Sequence, residues 1–157
     1  MTRRGAARLA AVQALYQIEL AQAPIETVIG EFSQDGLRRD VEGAGEGEGE
    51  AGAFDAALFA DIVRGTVKRK SELDAAIGAA LTPDWPIERL EAVLRAILRA
   101  GAYELTARPD VPVPVVISEY LDIGHAFFAG KEPGLINGVL DKLARTLAEA
   151  GRGDAAR

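Results

Sequence analysis

The chain has no cysteine, only one histidine and only one tryptophan. The lack of cysteine excludes disulfides, thiolate metal sites and thiolate nucleophiles, and it suits a reducing cytoplasm. The single histidine, His125, has no carboxylate at a metal-ligand spacing, and general-base catalysis needs positioned partners that the sequence does not supply. No apolar run approaches the ~20 residues that span a bilayer. These absences predict a cytoplasmic, non-enzymatic protein without metal, cofactor or membrane segment.

Positive charge is also in short supply. The 18 Lys and Arg residues stand against 24 Asp and Glu residues, which gives a formal net charge of −6. Bulk attraction therefore does not bring this chain to a polyanion, and binding to nucleic acid requires a local basic patch. The best candidate is the N-terminus, where Arg3, Arg4 and Arg8 lead into the apolar-periodic run L-A-A-V-Q-A-L-Y-Q-I-E-L.

Helical periodicity dominates what the chain does contain. Its alanine, leucine, arginine and glutamate lose little rotamer freedom in a helix. The one β-like run, V-P-V-P-V-V-I, carries prolines that do not fit inside a sheet. The pattern therefore predicts an all-α fold with about six or seven helices.

Three local signals give expected helix boundaries. The first helix should cover residues 3–21. Ser71 followed by Asp74 resembles a capping box at the start of a later helix, with Asp in place of the usual Glu. A long helix should open at residues 84–85 and end before Pro109, because proline cannot continue it.

The helical pattern stops between residues 33 and 53. This stretch contains V-E-G-A-G-E-G-E-G-E-A-G, in which glycine is costly to order and the carboxylates repel one another, so we expect a flexible acidic linker. The rest of residues 1–151 should form a single helical domain with subdomains at about 1–82 and 83–151. Residues 152–157 should form a frayed tail.

The N-terminal residues have the chemistry of an RNA contact. Arg4 and Arg8 are i,i+4 neighbours, and together with Arg3 they lie at a helix N-terminus, which favours phosphate. Gln13 can hydrogen-bond a base edge, and Tyr16 can stack on a base. A plainer alternative also fits, in which the arginines are a solubilising cap and Tyr16 belongs to the core. Spacing alone does not choose between the two.

Five sequence blocks resemble those of the NusB transcription antitermination factors, and they follow the family order. They are A-V-Q-A-L-Y-Q-I-E-L at 11–20 preceded by Arg8, W-x-x-x-R-L at 85–90, R-A-I-L-R-A-G-A-Y-E-L at 95–105, V-P-x-x-V-x-I-x-E-Y at 111–120 and I-N-G-V-L-D-K-L-A-R at 136–145. The blocks cover nearly the whole chain apart from the acidic stretch and the tail.

The resemblance implies an all-helical fold of two three-helix subdomains. It also implies a function, which is to bind the boxA element of ribosomal RNA leader transcripts together with NusE in the RNA polymerase antitermination complex. The RNA-binding residues it implies are Arg3, Arg4, Arg8, Gln13 and Tyr16, with Lys131 and Asn137 from the loop before N-G-V-L-D. Partner contacts are implied for the helix that carries Arg95 and Arg99.

The chain departs from the family pattern at three places. Gly5 and Ala6 interrupt the arginine run, Leu135 stands where many relatives have phenylalanine, and Leu94 stands where many have an acid. We therefore expect weak RNA binding by this chain alone, with Lys131 or the basic cluster at residues 64–70 compensating.

Purely structural roles also fit several of these residues. Arg95 and Arg99 also fit solvated helix faces or ion pairs with acids such as Glu91, and Asn137 also fits a turn or cap. At the level of function, two alternatives remain. One is a detached targeting module that works with an rRNA methyltransferase, and the other is a protein-only scaffold whose arginines serve solubility.

Overall fold

The computed structural model describes residues 1–44 and 54–151. Within these ranges the chain forms seven α-helices and no β-strand, which confirms the predicted all-α class. The helices are α1 (Arg3–Ala21), α2 (Ile25–Ala44), α3 (Ala56–Lys68), α4 (Lys70–Ala80), α5 (Ala92–Ala107), α6 (Val113–Phe127) and α7 (Glu132–Glu149), with a 3₁₀ turn at Ile87–Arg89.

Helix α1 has the bounds that the sequence predicts, and local signals explain both ends. The Thr2 hydroxyl accepts a hydrogen bond of 2.9 Å from the Gly5 N–H, which caps the first turn. At the other end, Gln22 takes a left-handed backbone conformation with φ 52°, as is common just beyond a helix C-terminus. The cap fixes the turn that carries Arg3 and Arg4.

Helix α2 corrects the predicted linker. It extends from Ile25 to Ala44, so residues 33–44 are helical and only residues 45–53 of the predicted linker lie outside the described residues. The predicted frayed tail, 152–157, lies outside them as well. The extension is reasonable because residues 33–41 contain no proline and include leucine and two arginines, which are good helix formers.

The chain divides into two compact units, Met1–Val67 and Lys68–Arg157. The first unit contains α1, α2 and α3 up to its last residue, and the second contains α4 to α7. The division falls at the end of α3 rather than near residue 82, because α4 packs against α5 and α7. The second unit consequently has four helices where the resemblance implied three.

In the first unit, aromatic rings surround the start of α3. The ring of Phe59 is fully buried. It stacks on Phe32 of α2 with ring centroids 5.7 Å apart, and it meets Phe54 at 5.3 Å. Burial of aromatic surface of this size is a main source of stability in a small unit, and here it fastens α3 to α2.

In the second unit, two glycines let helices approach closely. A Cβ on Gly101 would lie 2.9 Å from Leu140 Cδ1, and one on Gly124 would lie 2.5 Å from Ile136 Cδ1. Both distances are shorter than real Cβ contacts, so a side chain at either position would force Leu140 or Ile136 of α7 to shift.

The second unit also buries one polar pair completely. The Tyr120 hydroxyl of α6 donates a 2.7 Å hydrogen bond to Glu104 Oε1 of α5, and both residues are inaccessible to solvent. A buried carboxylate oxygen that loses its donor is expensive. This bond therefore specifies how α5 and α6 pack.

The predicted long helix from residues 84–85 is interrupted. Leu90 and Glu91 are extended, with ψ near 150°, between the 3₁₀ turn and α5. The guanidinium of Arg95 donates to the Leu90 carbonyl, which the amide of residue 94 would occupy in a continuous helix. The side chain of Arg95 thus stabilises the break.

We expect Tyr120→Phe to lower the free energy of unfolding by about 1–3 kcal/mol, because Glu104 loses a buried donor. Urea denaturation followed by circular dichroism measures the change. Tyr16→Phe removes a hydroxyl from an exposed ring and is the matched control, for which we expect no change. Equal stability of the two variants would contradict the structural role of the bond.

Candidate nucleic-acid interface

The N-terminus of α1 presents two arginines to solvent. Arg3 and Arg4 are exposed, and the side chain of Arg4 remains 49% exposed although its Nε lies 3.8 Å from Asp55 Oδ2. The first turn of a helix also carries free N–H groups and partial positive charge. Guanidinium groups at this position are well placed to bind phosphate.

Asp55 holds the start of α3 against this arginine pair. Its Oδ1 accepts a 3.0 Å hydrogen bond from the Leu58 N–H, as an N-cap does. Its own N–H donates to the carbonyl of Arg3 over 3.4 Å. The carboxylate of Asp55 is therefore fixed beside the guanidinium of Arg4.

Arg8 does not join the exposed arginines. It is only 2% exposed and is among the largest fully buried side chains of the described residues. The expectation that Arg4 and Arg8 offer one basic face to phosphate does not fit this burial. Arg8 is buried and has an interaction within the protein, so it is not available at the surface of α1.

Further along α1, an exposed stripe carries the predicted base-contacting residues. Gln13 and Tyr16 are accessible, with Tyr16 39% exposed. Gln17 and Leu20 lie on the same side at i+4 and i+7 from Gln13, and both are exposed. We did not single out Gln17 from the sequence, although its helical spacing from Gln13 could have identified it. The stripe combines amide hydrogen-bonding groups with one aromatic ring.

On the second unit, Lys131 and Asn137 are both exposed, but they do not share a loop. Lys131 immediately precedes α7, whereas Asn137 lies inside that helix. Asn137 therefore caps neither end of α7. Gly134 and Gly138 flank it with open space where a side chain would be, so the backbone of this helix face is accessible.

Lys131 also lines a groove of about 500 Å³ in the second unit. Four apolar residues line it, and both charge signs occur around them; the lining residues are Trp85, Arg89, Leu90, Glu91, Leu94, Lys131, Glu132 and Leu135. Trp85 is 54% exposed. The only tryptophan of the chain is thus available for contact, although its sequence context gives no sign of this.

The two predicted partner-binding arginines are engaged within the second unit. Arg99 forms two hydrogen bonds of 2.7 and 3.0 Å with the carboxylate of Asp74, and it is 9% exposed. Asp74 therefore does not complete a capping box with Ser71, since α4 starts at Lys70 without a side-chain cap. Arg95 bonds the Leu90 carbonyl. Both arginines primarily stabilise the position of α5.

The basic cluster at residues 64–70 is only partly available. Arg64 donates hydrogen bonds of 2.8 and 2.7 Å to both carboxylate oxygens of Glu26. These bonds lower the pKa of Glu26 below its ordinary value. Arg69 lies 3.7 Å from Glu72. Lys68 and Lys70 are exposed, and they are the members of the cluster best placed to add positive charge to a surface.

Neither a metal cluster nor a membrane-spanning helix occurs in the part of the chain that the structure describes. Residues 1–44 and 54–151 contain no group of three or more histidine, cysteine, aspartate or glutamate side chains arranged to hold a metal ion. Over the same ranges, no helix has the length and apolar character needed to cross a membrane.

Residues 5–145 of the sequence match the NusB family model. A transcription antitermination protein NusB from Bradyrhizobium sp. (strain ORS 278) is 52% identical over 91% of this chain and 82% of its own length. The NusB protein of Bradyrhizobium diazoefficiens is 50% identical over 96% of this chain and 90% of its own length.

The solved structure of T. maritima NusB superimposes with a TM-score of 0.75 at 25% identity, covering 98% of this chain and 99% of that one. The agreement spans both sequence and fold over almost the entire length. The chain belongs to the NusB family of transcription antitermination proteins.

Proposed function

We propose that the protein is a non-catalytic, cytoplasmic RNA-binding adaptor in transcription antitermination. It binds the boxA element of ribosomal RNA operon transcripts together with NusE and so joins the RNA polymerase antitermination complex. The observation that carries this proposal is the exposed Arg3–Arg4 pair at the capped N-terminus of α1, followed on the same helix by exposed Gln13 and Tyr16.

Each part of α1 has a distinct role in this proposal. Arg3 and Arg4 neutralise phosphates, which supplies affinity without sequence selection. Gln13 and Tyr16 meet the bases of single-stranded RNA by hydrogen bonding and stacking. Because Arg8 is buried, only Arg3 and Arg4 of the three N-terminal arginines are exposed, one fewer than the sequence suggested. The protein alone should therefore bind RNA weakly.

The second unit adds further contacts in this proposal. Lys131 and Asn137 are exposed and meet RNA. The groove beside Lys131 suits NusE better than Arg95 or Arg99 do, because it combines the exposed indole of Trp85 with buried leucines and charges of both signs. An aromatic residue in an apolar depression is typical of protein interfaces.

The experiment is a titration of boxA RNA with the protein in the presence and absence of NusE. We expect NusE to tighten RNA binding about tenfold or more, which corresponds to an ordinary coupling free energy between two binding events. Because Trp85 is the only tryptophan of this chain, a change in its fluorescence on adding a tryptophan-free NusE variant also reports whether the groove is used.

Two results would contradict the proposal. One is RNA affinity that is identical with and without NusE. The other is recovery of an rRNA methyltransferase, and not NusE, when the protein is used as bait; that result would favour a targeting module.

A further inference from the structure

Asp55 and Arg4 form a contact that RNA would have to displace. Arg4 Nε lies 3.8 Å from Asp55 Oδ2, and the two side chains are 49% and 27% exposed. Asp55 has little freedom to move away, because its backbone N–H binds the Arg3 carbonyl and its Oδ1 binds the Leu58 N–H. A negative charge is thus held beside the arginine pair by the fold.

A fixed carboxylate at this place acts on RNA in two ways. It competes with phosphate for the guanidinium of Arg4, and it repels any phosphate that approaches the pair. Both effects operate at short range, within the ~10 Å Debye length at about 0.1 M salt. An exposed ion pair of this kind is weak in itself, so an incoming phosphate can replace it.

We propose that Asp55 is a positioning residue that attenuates RNA binding. It holds the Arg4 side chain at the N-terminus of α1 while no RNA is bound, and a binding phosphate replaces it as the partner of Arg4. This inference rests on the proposed function. It adds that Asp55, which does not itself contact RNA, lowers the affinity of the RNA site. It also gives a physical reason, beyond the net charge, for weak binding by the chain alone.

The substitution Asp55→Asn tests the inference cleanly. Asparagine is as good an N-cap as aspartate, so the bond to the Leu58 N–H is retained and only the charge is lost. We expect Asp55→Asn to bind boxA RNA about two- to fivefold more tightly at low salt, as the energy of an exposed ion pair implies. The gain should shrink as salt is raised.

Two comparisons separate this role from a general change of charge. Glu31→Gln makes the same charge change at an exposed position of α2 in the same unit, and it should leave RNA affinity nearly unchanged. In an Arg4→Ala background, Asp55→Asn should lose most of its gain, because the two residues act on each other.

The outcomes distinguish the inference from the function on which it rests. If the native protein binds boxA RNA and Asp55→Asn binds it equally or more weakly, Asp55 does not attenuate binding and the inference fails alone. If Asp55→Asn and Glu31→Gln give the same gain, the effect is one of net charge and the inference also fails. If none of these proteins binds boxA RNA with or without NusE, the proposed function fails and the inference with it.

Discussion

Replacing both Arg3 and Arg4 by alanine is expected to weaken the binding of boxA RNA about tenfold at about 0.15 M salt. Each arginine that neutralises a phosphate of single-stranded RNA contributes about 0.7 to the slope of log affinity against log salt. The double variant should therefore also show a slope shallower by about 1.4. Both side chains are exposed at the end of α1, so the fold should not change.

The matched control removes two positive charges elsewhere. Lys142 and Arg145 are exposed on the C-terminal half of α7, and their replacement by alanine changes the net charge by the same amount. We expect this control to weaken RNA binding far less and to leave the salt slope almost as it is. If the two double variants lose RNA affinity equally, binding depends on the total charge of the protein, and the N-terminus of α1 is not an RNA site.

The second large effect concerns stability. Arg8→Ala should lower the free energy of unfolding by about 3 kcal/mol, since it deletes a large buried side chain and leaves a cavity and unpaired groups around it. Arg8 is 2% exposed and has interactions within the protein. Chemical denaturation monitored by circular dichroism measures the loss.

Arg3→Ala provides the comparison for Arg8→Ala. It removes an arginine from the same helix at an exposed position, and exposed substitutions usually change stability by less than about 0.5 kcal/mol. If Arg8→Ala proved as stable as Arg3→Ala and instead lost RNA affinity, Arg8 would be a direct RNA contact and its assignment to the interior would be wrong.

Sequence reasoning predicted α1 well because several signals there agree. Apolar residues recur at helical spacing, a threonine stands at the N-cap position and a proline follows the helix. Most of the family blocks likewise lie on helices, whereas the block at 85–90 spans the 3₁₀ turn before α5. Fold class and family could therefore be inferred without coordinates. The exposure of Tyr16 does not follow from this periodicity, which also fits a place in the core; only the structure shows that its ring is 39% exposed.

The remaining errors come from specific side-chain contacts that residue propensities do not predict. Arg99 is held by Asp74, which is 25 positions away, and no local pattern reveals that pair. The long helix is broken where Arg95 takes the carbonyl of Leu90, although propensity favours helix throughout. Specific side-chain contacts thus override local preference at both places.

Arg8 shows the same limit within the candidate site. A charged residue is almost never fully buried unless it is paired, so its i,i+4 relation to Arg4 suggested a shared exposed face. Only the three-dimensional structure shows that one arginine of the three is inside. Asp55 could not be found from the sequence either, because it lies 51 positions along the chain from Arg4.

The most direct measurement of the central claim is the affinity of the protein for boxA RNA against a scrambled RNA of the same length, with NusE present at saturating concentration. If Gln13 reads base edges of RNA held on α1 by Tyr16, boxA RNA should bind at least about tenfold more tightly, because a hydrogen-bonded base edge discriminates by about 1–3 kcal/mol. Equal affinity for the two RNAs would contradict the claim that this helix recognises a specific RNA.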